Sequence, residues 1–270
     1  MAVILGIDAA WTLTEPSGVA LLDTRGGAKC LGVAPSYAAF LMLSEGCPVD
    51  WGASHEGQEP PIAALLEAAR RMAGAPVDVV AIDMPVSRLP INSRRAADNA
   101  VSLEFGGRWC STHTPSSLRP GPMGARITAA FAALGYSVAA TETSPGTPMQ
   151  LLEVYPHTAL LSLLKRERRV PYKIGKLRSY WKNETPEGRR RLLFQELRAI
   201  EAGLCAVLGP LPIVWPLPSA KTHVLKAFED ALDAMISAWV GMQYMDGGAV
   251  PLGDESAAVW CPRDVVRRVS

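Results

Sequence analysis

Apolar and polar positions along this chain switch between a period of two and a period near 3.6, and the switches mark its elements. Ala2 to Ile7 is an apolar run closed by Asp8. Gly18 to Leu22 is another, closed by Asp23, and Lys29 to Val33 a third, with the compact Arg25-Gly26-Gly27 turn between the last two. The pattern predicts three antiparallel strands. Pro35 to Leu43 reads as a helix, residues 46–61 as a loop rich in Gly and Pro, and Ile62 to Met72 as an amphipathic helix. Val77 to Ile82, apolar on both faces and closed by Asp83-Met84-Pro85, predicts a strand inside a sheet covered on two sides.

From Ser87 to Ser117 the chain turns polar and irregular, which predicts an insertion over about residues 84–120. Gly124 to Leu134 then reads as a helix, Tyr136 to Thr141 as a short strand, and Gln150 to Tyr155 as a strand stopped by Pro156. A helix over His157 to Leu164 leads into a basic helical region, about 165–210, whose clearest part is Arg189 to Leu208. The proline-rich stretch Gly209 to Pro218 delivers a last helix, Lys221 to Gly241, and Ser256 to Trp260 is a final short strand.

In that last helix Leu225, Phe228, Leu232, Met235 and Trp239 share one broad face, and His223, Lys226, Asp230, Asp233 and Ser237 a narrow opposite stripe. Ala227, Ala231, Ala234 and Ala238 flank them, short enough to let the helix lie close against a sheet. Asp230 and Asp233 either solvate a surface helix or look along the sheet toward other acids. Lys226 stands one turn before Asp230 and is placed to pair with it, which leaves Asp233 as the freer carboxylate.

Composition narrows the class. The 270 residues, 49% hydrophobic and 20% charged, suit one large domain with a real core. No apolar run is long enough to span a bilayer, and the opening residues read as a strand without a basic leader, so a cytoplasmic protein without membrane contact is expected. Five cysteines, Cys30, Cys47, Cys110, Cys205 and Cys261, are scattered with no CxxC pair, which points to free thiols. Net charge is only +1, yet Lys165 to Arg191 holds eleven Lys or Arg against three Glu. That excess suits a polyanion, since Lys and Arg displace counterions from phosphates, and it suits solvated helices equally. Lys173, Lys176 and Arg178 are the candidate substrate contacts there.

Two strands end in Ile-Asp, at Asp8 and Asp83, and would bring two carboxylates to one sheet edge. Glu153 lies in an apolar run beside Leu151 and Tyr155. It is either a third buried acid in need of a cation or an edge-strand residue facing water. Arg94 and Asp98, at i and i+4, make a helical salt bridge or line a substrate loop. His113 in that loop is more simply a structural histidine. Phosphoryl transfer to water uses two hard divalent cations held by carboxylates from several elements, and these acids sit on several elements.

The motifs Gly6-Ile7-Asp8, Ile82-Asp83-Met84-Pro85, Arg94-Arg95-Ala96-Ala97-Asp98, Glu153-Val154-Tyr155-Pro156, Tyr172-Lys173 and Asp230-Ala231-Leu232-Asp233-Ala234 resemble the domain of unknown function 429 family, whose members are predicted nucleases of the ribonuclease H-like fold. The resemblance implies a single α/β domain with a five-stranded mixed sheet and helices on both faces. It implies hydrolysis of a nucleic-acid phosphodiester, DNA or RNA, with Mg2+ or Mn2+ on Asp8, Asp83, Asp230 and Asp233. Asp8, Asp83 and Asp233 match the superfamily's acids, Glu153 the family motif, and Arg94 with Asp98 its signature. One rival is a non-catalytic nucleic-acid-binding or interaction module on the same scaffold. The other, an actin-like ATPase or sugar kinase, opens with a similar strand but needs a second glycine-rich phosphate turn, which this sequence lacks.

Overall fold

A computed structural model describes residues 1–267. The apolar runs form β1 (Val3–Asp8), β2 (Gly18–Asp23), β3 (Lys29–Ala34), β4 (Val79–Ile82), β5 (Ser137–Val138), β6 (Gln150–Val154), β7 (Ala249–Gly253) and β8 (Ala258–Pro262). They build one mixed sheet in the order β3-β2-β1-β4-β6-β8-β7. β1, β2 and β3 are antiparallel neighbours, whereas β4 runs parallel to β1 and to β6. Both β5 and β8 lie parallel to β6, β5 along its first half and β8 along its second.

Eight strands replace the five the resemblance implies and the seven read from the pattern. The predicted strand over 136–141 contracts to the two residues of β5, and the last strand gains an antiparallel partner in β7. β7 carries Pro251 and Gly253 and follows Gly247 and Gly248, which leaves it without a clear apolar pattern; as an edge strand it tolerates the proline and the glycine.

The helices are α1 (Tyr37–Ser44), α2 (Ile62–Ala73), α3 (Ala96–Phe105), α4 (Met123–Ala132), α5 (Pro156–Leu163), α6 (Leu177–Tyr180), α7 (Pro186–Leu208) and α8 (Thr222–Met245). Strand alternation sorts the core into two faces. Val3, Leu5, Ile7, Val80 and Ile82 pack with α1, α2 and α4, while Ile4, Ala20, Val79, Ala81 and Leu152 pack with α5, α7 and α8. α3, inside the stretch read as irregular, closes the far end over β7 and β8 with Val101, Phe105, Val259 and Cys261. Its start is held by Arg95 and Asp98 instead of the usual Ser or Thr cap.

The basic region is less helical than expected. After α5, residues 164–173 run without a helix, and only the short α6 precedes α7. α7 begins three residues before the predicted Arg189 because Thr185 accepts a hydrogen bond from the Gly188 amide (3.0 Å) and Pro186 opens the first turn. α8 runs four residues past its predicted end.

The alanine flank of α8 does what its size suggests. A Cβ on Gly6 would sit 2.1 Å from the Ala234 carbonyl oxygen, and one on Gly18 2.2 Å from that of Asp230. Backbone rides on backbone there, and α8 lies across β1, β2 and β4. Asp230 is thereby carried to the end of β1, because Gly18 pairs with Asp8.

Candidate active site

Asp8 ends β1, and Asp83 follows β4 directly. Ile7 is in register with Ile82, and the Asp83 amide donates to the Ile7 carbonyl oxygen (2.9 Å), so the two aspartates emerge side by side at the carboxyl ends of parallel strands. Ligands of open α/β sheets bind in the crevice at this edge. Following Gly6 and Ala81 in the alternation, both aspartates face α8. Among the described residues neither carboxylate accepts a hydrogen bond. Burial, with the Asp8 charge adding to it, pushes the Asp83 carboxyl well above the usual range.

α8 brings three more acids, each held by a lysine. Asp230 receives the Lys226 ammonium. Glu229 accepts from Lys226 (3.0 Å), from Lys173 (3.2 Å) and from the Ile174 amide (2.6 Å). Asp233, fully buried, accepts from the Tyr172 hydroxyl (2.5 Å) and from Lys173. Five carboxylates thus face two ammonium groups. The imbalance shows in proton affinity: burial, opposed by Lys226 and reinforced by Asp8, holds Asp230 well above the carboxylate range, and Asp233 rises to about 6 through burial despite Lys173. Lys173 stays protonated, because Asp233, Tyr172 and Glu229 outweigh its burial.

A pocket of about 600 Å3 opens over this floor. Asp8, Asp83, Asp230, Lys173 and Lys226 line it, with Trp11 and Thr12 from the loop after β1 and His113 and Arg119 from the loop before α4. The Arg119 guanidinium lies 5.8 Å from the Trp11 ring centre. A second pocket of about 340 Å3 adjoins it, sharing Trp11, Asp83, His113, Lys173 and Lys226.

The family model described as "Protein of unknown function (DUF429)" matches residues 6–258. The chain belongs to this DUF429 family. No curated protein and no solved structure matches it.

In this DUF429 chain the predicted acids divide into two environments. Asp8, Asp83, Asp230 and Asp233 meet at one sheet edge, and Glu153 does not join them. Its register partner is Ile82, one residue short of Asp83, so its side chain leaves the opposite face of the sheet. β6 is an interior strand, which removes the reading of Glu153 as a water-facing edge residue; it is 5% exposed. The Arg95 guanidinium binds it through two bonds of 2.6 Å, and the Val86 amide donates at 3.0 Å.

The same guanidinium binds Asp98 at 2.9 and 3.0 Å, so the partner of Asp98 is Arg95, not the predicted Arg94. Arg94 instead donates to Asn99, Thr114, Ser102 and the Asp98 carbonyl oxygen, bracing α3 against the loop. Lys173 enters the acid cluster, Lys176 is exposed at the rim of the second pocket, and Arg178 is exposed on α6, outside both pockets. His113 is exposed and lines both.

Glu229, Tyr172 and Arg95 were not singled out by pattern. Glu229 was recoverable: positions 226, 229, 230 and 233 are i, i+3 and i+4 neighbours, and a stripe one residue wider includes it. Tyr172 and Arg95 act across about 60 residues of chain, which no local spacing reveals.

Proposed function

We propose that this DUF429 chain is a metal-dependent phosphodiester hydrolase of the ribonuclease H-like kind, acting on nucleic acid. The observation that carries this reading is the Asp8–Asp83 pair: adjacent, free of hydrogen-bond donors, and on the floor of an open pocket. The fold supports it. Within the eight strands, β3-β2-β1-β4-β6 is a core of three antiparallel and two parallel strands with an aspartate ending its central member, as the resemblance implies.

The donor set fits a hard cation. Among the described residues no three His, Cys, Asp or Glu side chains form a ready ligand group. Mg2+ commonly takes one or two carboxylates and fills its remaining positions with water and substrate phosphate, so Asp8 and Asp83 suffice as protein ligands. Asp230 stands next to them, and the crowding of acids that raises the proton affinity of Asp83 and Asp230 is what a divalent ion would relieve. When bound, Mg2+ or Mn2+ supplies Lewis-acid polarisation of a phosphoryl oxygen and a more acidic water.

The chain's residues do the remainder. Lys226 and Lys173 hold Glu229, Asp230 and Asp233 through ion pairs beneath the pair. Asp83, side by side with Asp8, completes the carboxylate pair that would hold the ion. Arg119 offers a phosphate contact at the mouth, and Trp11 beside it an apolar face on which a base can stack.

One observation favours the second reading, a non-catalytic nucleic-acid-binding module: Asp233 is closed from the pocket by Tyr172 and Lys173. The two are separated by incubating the purified chain with Mg2+ or Mn2+ and single-stranded, duplex, hybrid or branched substrates. Cleavage that disappears in Asp8→Asn and Asp83→Asn supports the hydrolase. Salt-sensitive binding with no cleavage of any substrate means the module.

A further inference from the structure

The second pocket changes character away from the carboxylates. Its inner end is lined by His157 from α5, Arg169 from the segment after it, and Lys176 at the rim. His157 is 4% exposed, its ring is fixed between those of Tyr155 and Tyr172 (centres 5.2 and 5.4 Å away), and its Nδ1 has no hydrogen-bond partner among the described residues. Arg169 Nε is enclosed, with the buried Tyr180 hydroxyl as its neighbour and no acceptor at hydrogen-bonding geometry. Leaving such groups unmet costs about 1–3 kcal/mol each, more when charged, so an acceptor that reached them would be favoured here.

The charge balance says which kind of acceptor. Glu153 and Asp98 at this pocket are saturated by Arg95, and Glu229 by the two lysines. Neither Arg169 nor Lys176 has an ion-pair partner among the described residues. Away from Asp83, which also lines this pocket, the uncommitted charge is positive, and a guanidinium, an ammonium and an imidazole N–H are the donors that take a phosphate. At about 340 Å3 the pocket admits a nucleotide-sized group.

We propose that this inner end is a subsite for a phosphate monoester, bound by Arg169, Lys176 and His157, and that the substrate of the Asp8–Asp83 pair carries a terminal phosphate seated there. The second half rests on the hydrolase reading; the phosphate site does not. Two sources share this chemistry, the phosphorylated end of a strand and a free nucleotide.

Titrating inorganic phosphate calorimetrically into the metal-free chain at low salt tests the site alone. Saturable binding is expected in the wild type and in Asp8→Asn, at least tenfold weaker in Arg169→Gln and several-fold weaker in Lys176→Ala. Lys176 is exposed, so its loss leaves the fold intact and keeps the test valid if Arg169→Gln misfolds. Absent binding in the wild type, or affinity unchanged in both variants, overturns the subsite.

A second arm compares Mn2+-supported cleavage of single strands ending in phosphate or hydroxyl. A tenfold or larger preference in kcat/KM for the phosphorylated end, lost in Arg169→Gln, assigns the source to a strand terminus, and equal cleavage overturns that assignment. Phosphate binding with no strand cleaved, and a nucleoside monophosphate bound more tightly than phosphate, keeps the site, assigns it to a free nucleotide and removes the hydrolase reading.

Discussion

Replacing Gly6 with alanine tests whether the seating of α8 on β1 sets the site. The added Cβ would fall 2.1 Å from the Ala234 carbonyl oxygen and 2.6 Å from the Ala238 nitrogen, where ordinary contact begins at 3.4 Å. Both are backbone atoms of a buried helix, so no side-chain rotation relieves them, and α8 must retreat from β1 by about 1 Å. Overpacking of this kind costs about 1–3 kcal/mol, and a backbone obstacle places Gly6→Ala at the upper end, about 3 kcal/mol. In urea denaturation the midpoint should fall with an unchanged slope, and Tm should drop by about 6–12 °C for a domain of this size. The retreat also shifts Asp230 and Asp233 relative to Asp8, and on the hydrolase reading a displacement of about 1 Å in the site should cost about 100-fold in rate. Gly26→Ala, with nothing within 4 Å of its Cβ, is the control and should change stability by less than about 0.5 kcal/mol. A Gly6→Ala chain with the wild-type midpoint would refute the close helix–sheet contact and everything derived from it.

Further outcomes follow from the charges. Arg95→Leu strands Glu153 and Asp98 in the interior and should cost about 3–5 kcal/mol by urea denaturation; Arg95→Lys should recover only part, since one ammonium cannot replace a fork that binds both acids. Burial, opposed by Lys173 and aided by Asp8 and Glu229, raises Asp233 from 3.8 to about 6, so the folded chain holds this proton more tightly than the unfolded one. That contribution is fully present below about pH 4 and lost as pH rises through about 6, a change of about 3 kcal/mol. Stability measured against Asp233→Asn should therefore shift in favour of the variant between those limits, and parallel pH curves would refute it. Finally, Mg2+ at a hundred times its Kd should add about 2.7 kcal/mol of stability near pH 7, read as a rise in Tm that Asp8→Asn abolishes. An unshifted wild type at saturating metal counts against the ligand pair.

Much of the fold was legible because its elements announce themselves locally. β1, β2, β4 and β6 are apolar runs closed by an acid or a proline, and α2 and α8 carry their periodicity openly. What failed were elements whose reason is tertiary. α3 begins on Arg95 because that guanidinium is already bound to Glu153 across the sheet edge, and β7 pairs only because β8 leaves an open edge. The stretch before α7 carries Lys and Arg at helix-compatible spacing but little apolar surface to bury, so it stays extended around Tyr172 and Lys173. Those two residues then reach down to α8.

The site was legible to the same depth and stopped for the same reason. Two strands ending in Ile-Asp and a helix with Asp230 and Asp233 were enough to bring four acids to one edge, because parallel strands in register and a small-residue helix face leave them nowhere else to go. The side from which Glu153 emerges depends on one residue of register, Ile82 against Glu153, and pairing register between β4 and β6 is written in neither strand alone. The lysines were equally out of reach by spacing: Lys226 was visible one turn from Asp230, whereas Lys173 meets Asp233 across 60 residues. Their arrival alters what the paired aspartates on α8 mean. Asp230 and Asp233 are a neutralised floor, and the carboxylates left without a counter-charge are Asp8 and Asp83. On the hydrolase reading, the place for a cation is therefore above the strand ends, where the pocket is open.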